Sequence, residues 1–123
     1  MVKNKKITIP LCEEENKDDE KLKEVLMLLK TDSEISKLSE TFKILGDPTR
    51  LKIISSLLLK ELCVCELSGL LKISVSAISH QLRLLRSVRL VKHRRNGKMI
   101  YFSLDDKHIE NIINEGQRHI EEV

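Results

Sequence analysis

The chain has no tryptophan, one tyrosine and two phenylalanines among its 123 residues. Leucine, isoleucine and valine must therefore fill the core, which suits helices packed on helices and argues against an aromatic-rich sandwich. With two prolines and four glycines, the sequence shows no repeat or low-complexity tract. No apolar run approaches the roughly 20 residues that a membrane-spanning helix needs. Lys3, Lys5 and Lys6 are followed only by Ile-Thr-Ile-Pro-Leu and then charge, which does not read as a secretory signal, so a cytoplasmic protein without a membrane partner is expected. Three cysteines, an odd number, argue against a disulfide framework and leave thiolates for metal or redox chemistry. A Gly-rich phosphate loop and a Ser/His/Asp arrangement are both missing, so no enzyme is expected.

What is present is a chain that is 41% hydrophobic and 33% charged, enough to fold as one domain. Its net charge of +3 conceals an uneven distribution. Leu67 to Leu104 contains no acidic residue but holds Lys72, Arg83, Arg86, Arg89, Lys92, Arg94, Arg95 and Lys98, whereas Asp105 to Val123 carries a net charge of −4. A basic block with acidic flanks is the footprint of a phosphate-binding surface, although a solvated charged face would look the same.

Residues 1–19 lack a helical period and read as a flexible arm carrying Cys12. Residues 20–123 read as the folded domain. Leu22, Val25, Leu26, Leu28 and Leu29 suggest a short helix, and Ile35, Leu38, Phe42 and Leu45 a second one ended by Gly46. Asp47-Pro48 then reads as an N-cap followed by proline at the first helical position, opening a helix with Leu51, Ile53, Ile54, Leu57 and Leu58 at its core positions.

After a short helical stretch through Cys63-Val64-Cys65, Ser74 is placed to cap a helix over Val75–Ser87. Ile78, Leu82 and Leu85 would pin that helix, leaving Ser76, Ser79, His80, Gln81 and Arg83 outward. The period then changes to two on either side of Asn96-Gly97, a strong hairpin signal with Arg94, Arg95 and Lys98 at its tip. The expected fold is mainly α with a small β-hairpin: a winged helix-turn-helix whose second helix enters the major groove. Arg83, Arg86, Arg89, Arg94, Arg95 and Lys98 would contact phosphates, while Ser76, Ser79, His80 and Gln81 would reach base edges. One copy offers too little contact for tight specific binding, so a homodimer on an inverted repeat of double-stranded DNA is expected.

The last helix should begin at Asp105-Asp106, with Ile109, Ile112, Ile113 and Ile120 at core positions and with His108 and His119 on one face. Eleven residues separate the histidines by about 16 Å along the axis, too far for one tetrahedral ion. Two antiparallel copies could combine Asp106 and His108 of one chain with His119 and Glu122 of the other. Spacing alone leaves this open against a plain cap and surface polar residues. Cys63 and Cys65, with Cys12 delivered by the arm, form a second candidate site for a thiophilic ion. Small buried hydrophobes or a redox pair are the competing readings.

Taken together, Leu45-Gly46-Asp47-Pro48-Thr49-Arg50, Glu61-Leu62-Cys63-Val64-Cys65, Ser79-His80-Gln81-Leu82-Arg83, the Arg94–Phe102 wing, and Asp106-x-His108 with His119-x-x-Glu122 resemble the ArsR/SmtB family of metal-responsive winged-helix repressors. The likeness covers about residues 38–123. It implies a homodimer that binds operator DNA when metal-free and releases it on binding an inducer ion, derepressing efflux or sequestration genes. It also implies interfacial Zn(II) ligands at Asp106, His108, His119 and Glu122, and Cd(II) or Pb(II) ligands at Cys63 and Cys65. The cadmium and lead branch uses two arm cysteines, but only Cys12 is available and Asn16 stands where the second would fall. The arsenic branch has a third cysteine where Ser68 stands, so an arsenite response departs further from the pattern. A thiol-based redox repressor and a metal buffer remain the alternatives.

Overall fold

The computed structural model describes residues 18–122; the expected arm and Cys12 lie outside them, apart from residues 18 and 19. The chain divides into two compact units, Met1–Ser36 and Lys37–Val123. In the first, helix α1 (Asp19–Leu28) is capped by Asp18, whose side chain accepts from the Lys21 amide, and it buries none of its residues. Helix α2 (Asp32–Leu45) starts in this unit and ends in the second. Its start is a reciprocal cap, with the Thr31 amide donating to Glu34 and the Glu34 amide to the Thr31 hydroxyl, so both free amides find acceptors.

In the second unit, α3 (Pro48–Leu59) begins as the sequence suggests, with Asp47 accepting from the Arg50 amide and Pro48 in the first turn. Strand β1 (Leu62–Cys63) leads into α4 (Val64–Leu71). Lys72, at φ 60°, makes the left-handed turn into α5 (Val75–Ser87), capped by the Ser74 hydroxyl. Arg89, at φ 62°, ends α5: its amide donates to Arg86 and that of Leu90 to Leu85, satisfying carbonyls the helix leaves free. Strands β2 (Val91–Asn96) and β3 (Met99–Leu104) form the wing, and α6 (Lys107–Glu121) follows.

The sheet runs β1-β3-β2, all antiparallel. β1 is absent from the sequence reading, because two residues are too few to show a period of two. The hairpin loop also differs by one residue. Asn96 pairs with Met99, leaving Gly97-Lys98 as the loop with Gly97 at φ 67°. A glycine-first loop suits the twist of the flanking strands, so the glycine sets the register and Asn96 stays in the ladder.

Ile53, Ile54, Leu67, Ile78, Leu82, Leu85 and Val91 form the heart of the core, joined by Phe102, Leu104 and Ile109. The expected core stripe of α6 needs correction. Ile109 is buried and Ile113 partly so, but Ile112 and Ile120 are exposed. Phe42 and Leu38 of α2 are likewise exposed. The helical period identifies an apolar stripe correctly but cannot say whether the same chain covers it.

Candidate functional site

The buried stripe of α5 decides which of its polar side chains face outward. Ser76, His80 and Arg83 are exposed, whereas Ser79 and Gln81 are half-buried. Gln81 lies three residues after Ile78 and four before Leu85, at the flank of the stripe, and its Oε1 accepts from Arg50 Nε of α3 at 2.9 Å. It therefore does not point outward as the sequence reading expects. Arg50 also donates to the Ile44 carbonyl at 3.4 Å.

The wing shows a similar division. Arg94 donates two parallel bonds to Glu61, Nε to Oε2 at 2.8 Å and an Nη to Oε1 at 2.7 Å, and its guanidinium stands 5.3 Å from the centre of the Tyr101 ring. The hydrogen bond from Arg94 is the main force holding the Glu61 carboxyl below its ordinary range, outweighing an opposing desolvation; the same pairing raises Arg94. Arg94 therefore differs from Arg95 and Lys98, which are exposed and make no ion pair among the described residues. Arg86, at the end of α5, bonds His93 Nδ1 at 2.9 Å, so that nitrogen must be the unprotonated acceptor. His93 in turn packs edge-on against Phe102, with ring centres 5.6 Å apart. These contacts link α5 to β2, and β2 to Glu61, the residue just before β1.

At the start of α6, Asp106 sits on extended backbone as the N-cap, and its Oδ1 accepts from the amides of His108 (2.9 Å) and Ile109 (3.3 Å). Its Oδ2 lies 3.3 Å from His108 Nδ1. Desolvation pushes this carboxyl up, but the hydrogen bonds from the His108 side chain and the Ile109 and His108 amides prevail and leave it below the ordinary aspartate range. Asp106 and His108 thus converge, the carboxylate favours its ionised form, and both are exposed. His119 and Glu122 are exposed at the far end of the same helix. No group of three or more His, Cys, Asp or Glu side chains suited to a metal occurs among the described residues. Each end of α6 instead offers one imidazole and one carboxylate, a pair that fits half of a tetrahedral N2O2 zinc set.

Cys63 and Cys65 are both free. Cys63 is 4% exposed within the core, its amide donating to Glu66 Oε1 at 3.0 Å, while Cys65 is exposed. The strand-to-helix junction thus sends one sulfur inward and one outward. Phe42, Leu45, Leu51, Ile112, Ile113 and Ile120 line an apolar groove where the end of α2 meets α3 and α6. Phe42 is 52% and Ile120 68% exposed. Arg50 and Glu61 enter the sequence reading only as parts of the motifs that carry the family resemblance, and the pairings of these two and of His93 were not read from it. Their partners lie up to 33 positions away, and no local period reports such a pairing.

Two helices joined by a tight turn, the second carrying outward polar groups, with a basic hairpin behind them, define a winged helix-turn-helix DNA-binding regulator. Residues 47–93 match the model of the bacterial regulatory proteins of the arsR family. The chain is 42% identical to a transcriptional repressor SmtB homolog of Synechocystis over 93% of its own length and 86% of that protein's. It is 40% identical to a cadmium resistance regulatory protein CadC homolog of Staphylococcus aureus, over 70% and 72% of the two chains. In fold it resembles a homodimeric winged helix-turn-helix domain from Mycobacterium bovis, with a TM-score of 0.70 at 21% identity over 77% of this chain and 91% of that one. The chain belongs to the ArsR family, a family of DNA-binding regulators rather than enzymes. No helix among the described residues is long and apolar enough to cross a membrane.

Proposed function

We propose that the protein is a homodimeric, metal-sensing repressor that holds an inverted-repeat operator when metal-free and releases it when Zn(II) binds between the subunits. The observation that carries this reading is the convergence of Asp106 and His108 at one end of α6, 3.3 Å apart, with His119 and Glu122 about three turns away on the same helix. Neither pair makes a site by itself. Two α6 helices running antiparallel across a twofold axis complete two equivalent sites, each with two nitrogens and two oxygens. Bound zinc supplies positive charge and tetrahedral bonds there. This chain's part is to hold Asp106 ionised at the cap and to present both donor pairs to solvent. The exposed apolar groove of α2, α3 and α6 supports the same assembly, because large contiguous apolar surface marks an interaction site.

On DNA, Ser76 and His80 would read base edges with Ser79 and Gln81 behind them, while Arg83, Arg95 and Lys98 would contact phosphates. Arg94 would join them only by leaving Glu61. Closing the interfacial sites fixes the relative orientation of the subunits and so the spacing of the paired α5 helices; couplings of about 1–3 kcal/mol are typical of such transitions. The likeness to a cadmium resistance regulator supports a second, thiophilic site at Cys63 and Cys65 with Cys12 as third ligand. Loading it requires the Cys63 sulfur to leave the core.

The test is metal titration into the protein bound to a duplex that it has itself selected from a random pool. Zn(II) releases the wild type, whereas His108→Ala and His119→Ala bind the duplex and stay bound. Zinc release that persists in both variants and is abolished by Cys63→Ser would move regulation to the cysteines.

A further inference from the structure

We infer that Arg50 is a positioning residue for operator recognition, acting through Gln81 to fix the rotation of α5 about its own axis. The inference rests on the reading of α5 as the operator-reading helix. Three bonds meet at Arg50. Its amide donates to Asp47 Oδ2 at 3.0 Å, its Nε to Gln81 Oε1 at 2.9 Å, and one Nη to the Ile44 carbonyl at 3.4 Å. One residue thereby joins the end of α2, the first turn of α3 and the middle of α5.

The chemistry makes the bond orienting. A guanidinium has only donors, so Gln81 must turn its carbonyl oxygen toward Arg50 and its amide nitrogen away. Bidentate reading of adenine uses both ends of the carboxamide. Here one end is engaged within the protein and the side chain is half-buried. Gln81 therefore serves as the anchor point of α5, and base reading passes to the exposed Ser76 and His80.

Apolar packing alone does not set this rotation tightly. Ile78, Leu82 and Leu85 are buried, but hydrophobic burial is non-directional. A roll of about 20° would move the tip of a side chain roughly 2 Å around a helix of about 5–6 Å outer radius, enough to break a hydrogen bond to a base. The Arg50–Gln81 bond is directional, and its other anchor, the Ile44 carbonyl, lies in the last turn of α2 beside Leu45 of the apolar groove. The proposed subunit-facing groove and the proposed DNA-reading helix are thus braced by the same side chain.

The test is a double-mutant cycle on the full-length protein with Arg50→Met, Gln81→Met and the double variant. Affinity is measured at one salt concentration for the duplex selected by the wild type and for a scrambled duplex of the same length. Each single change is expected to weaken the selected duplex about tenfold, with scrambled-duplex affinity and salt slope unchanged. The double variant should lose no more than either single one, since residues acting through one bond are non-additive. Arg50→Lys, which keeps one donor, should recover part of the loss. Helical content and thermal midpoint, read on every variant, separate this from unfolding. The proposal is overturned if the two losses multiply in the double variant, if Gln81→Met loses selectivity while Arg50→Met does not, or if both duplexes weaken equally. Failure of the wild type to select any sequence would instead bring down the operator-binding reading itself.

Discussion

The α5–wing region and helix α6 differ in how far their polar groups reach for partners: α6 pairs Lys107 with Glu110, Arg118 with Glu115 and Gln117 with Glu121 inside the helix, whereas the α5–wing bonds cross between elements. In the former, several side chains find partners within the chain: Gln81 with Arg50, Arg94 with Glu61, Arg86 with His93. In α6, His119 and Glu122 have no such bond among the described residues, Asp106 and His108 have chiefly each other, and Ile112 and Ile120 lie exposed. A reading surface can be finished by one chain because its ligand is external. On the proposed dimeric reading, a sensing surface that requires two chains would be left half-built in each, and the exposed apolar and ligating groups of α6 are the ones that a second copy would cover.

That contrast can be broken most directly at the proposed metal ligands. Removing a first ligand should cost zinc affinity on the order of 100-fold or more, since even outer-shell partners cost about 10–100-fold. His108→Ala and His119→Ala homodimers should each fail to bind zinc tightly, yet an equimolar mixture should regain one tight site per mixed dimer, counted by calorimetry. One subunit then supplies the intact His108 and the other the intact His119. If the mixture regains nothing, the sites do not straddle two chains.

The next largest effect concerns assembly. Ile120→Glu or Phe42→Asp places charge on the exposed apolar face, and each side chain is worth about 1.5–3 kcal/mol when fully buried. Sedimentation should show the dimer weakened by roughly 10–100-fold with the thermal midpoint of the fold little changed. A large fall in that midpoint would mean that the groove is needed by the single chain after all.

On the reading surface, effects should be smaller and of two kinds. His80→Ala should reduce discrimination between selected and scrambled duplexes by about 1–3 kcal/mol, while Lys98→Ala should weaken both alike and lower the salt slope by about one. Glu61→Gln should do the reverse of Lys98→Ala. By releasing Arg94 it should strengthen binding to any duplex a few-fold and raise the slope by about one.

The smallest effect is acid titration of the Glu61–Arg94 pair. Arg94 holds the Glu61 carboxyl below its ordinary range, so the bond is intact above that range and is lost as the pH falls through the lowered value. Carboxyl resonances followed by NMR should show Glu61 titrating low in the wild type and returning upward in Arg94→Met.

Much of this architecture is local enough to be legible in sequence. The Asp47-Pro48 start of α3, the Ser74 cap of α5, and the cap at Asp106 all depend on residues within four positions of one another. Where the reading missed, a distant partner or a second surface had decided. Gln81 and Ser79 are equally polar in sequence, but only the placement of α3 puts Arg50 beside Gln81. Arg94 belongs to a run of positive charges, and nothing local sets it apart from Arg95; β1, paired with β3 through Leu62 and Cys63, brings Glu61 across to it. Cys63 and Cys65 look equivalent until the chain turns from strand to helix between them and buries one.

The sequence by itself determined the order of the helices and the wing, the caps at Asp47, Ser74 and Asp106, the basic block, the spacing of histidines and carboxylates on α6 and the ArsR family resemblance, because each is carried by short-range chemistry or periodicity. Only the tertiary structure decided which charges are free and which are paired, which cysteine is accessible, and which apolar stripe lacks a cover. Those depend on side chains that meet across tens of residues, and a directional bond or a buried face exists only when both partners have been brought together.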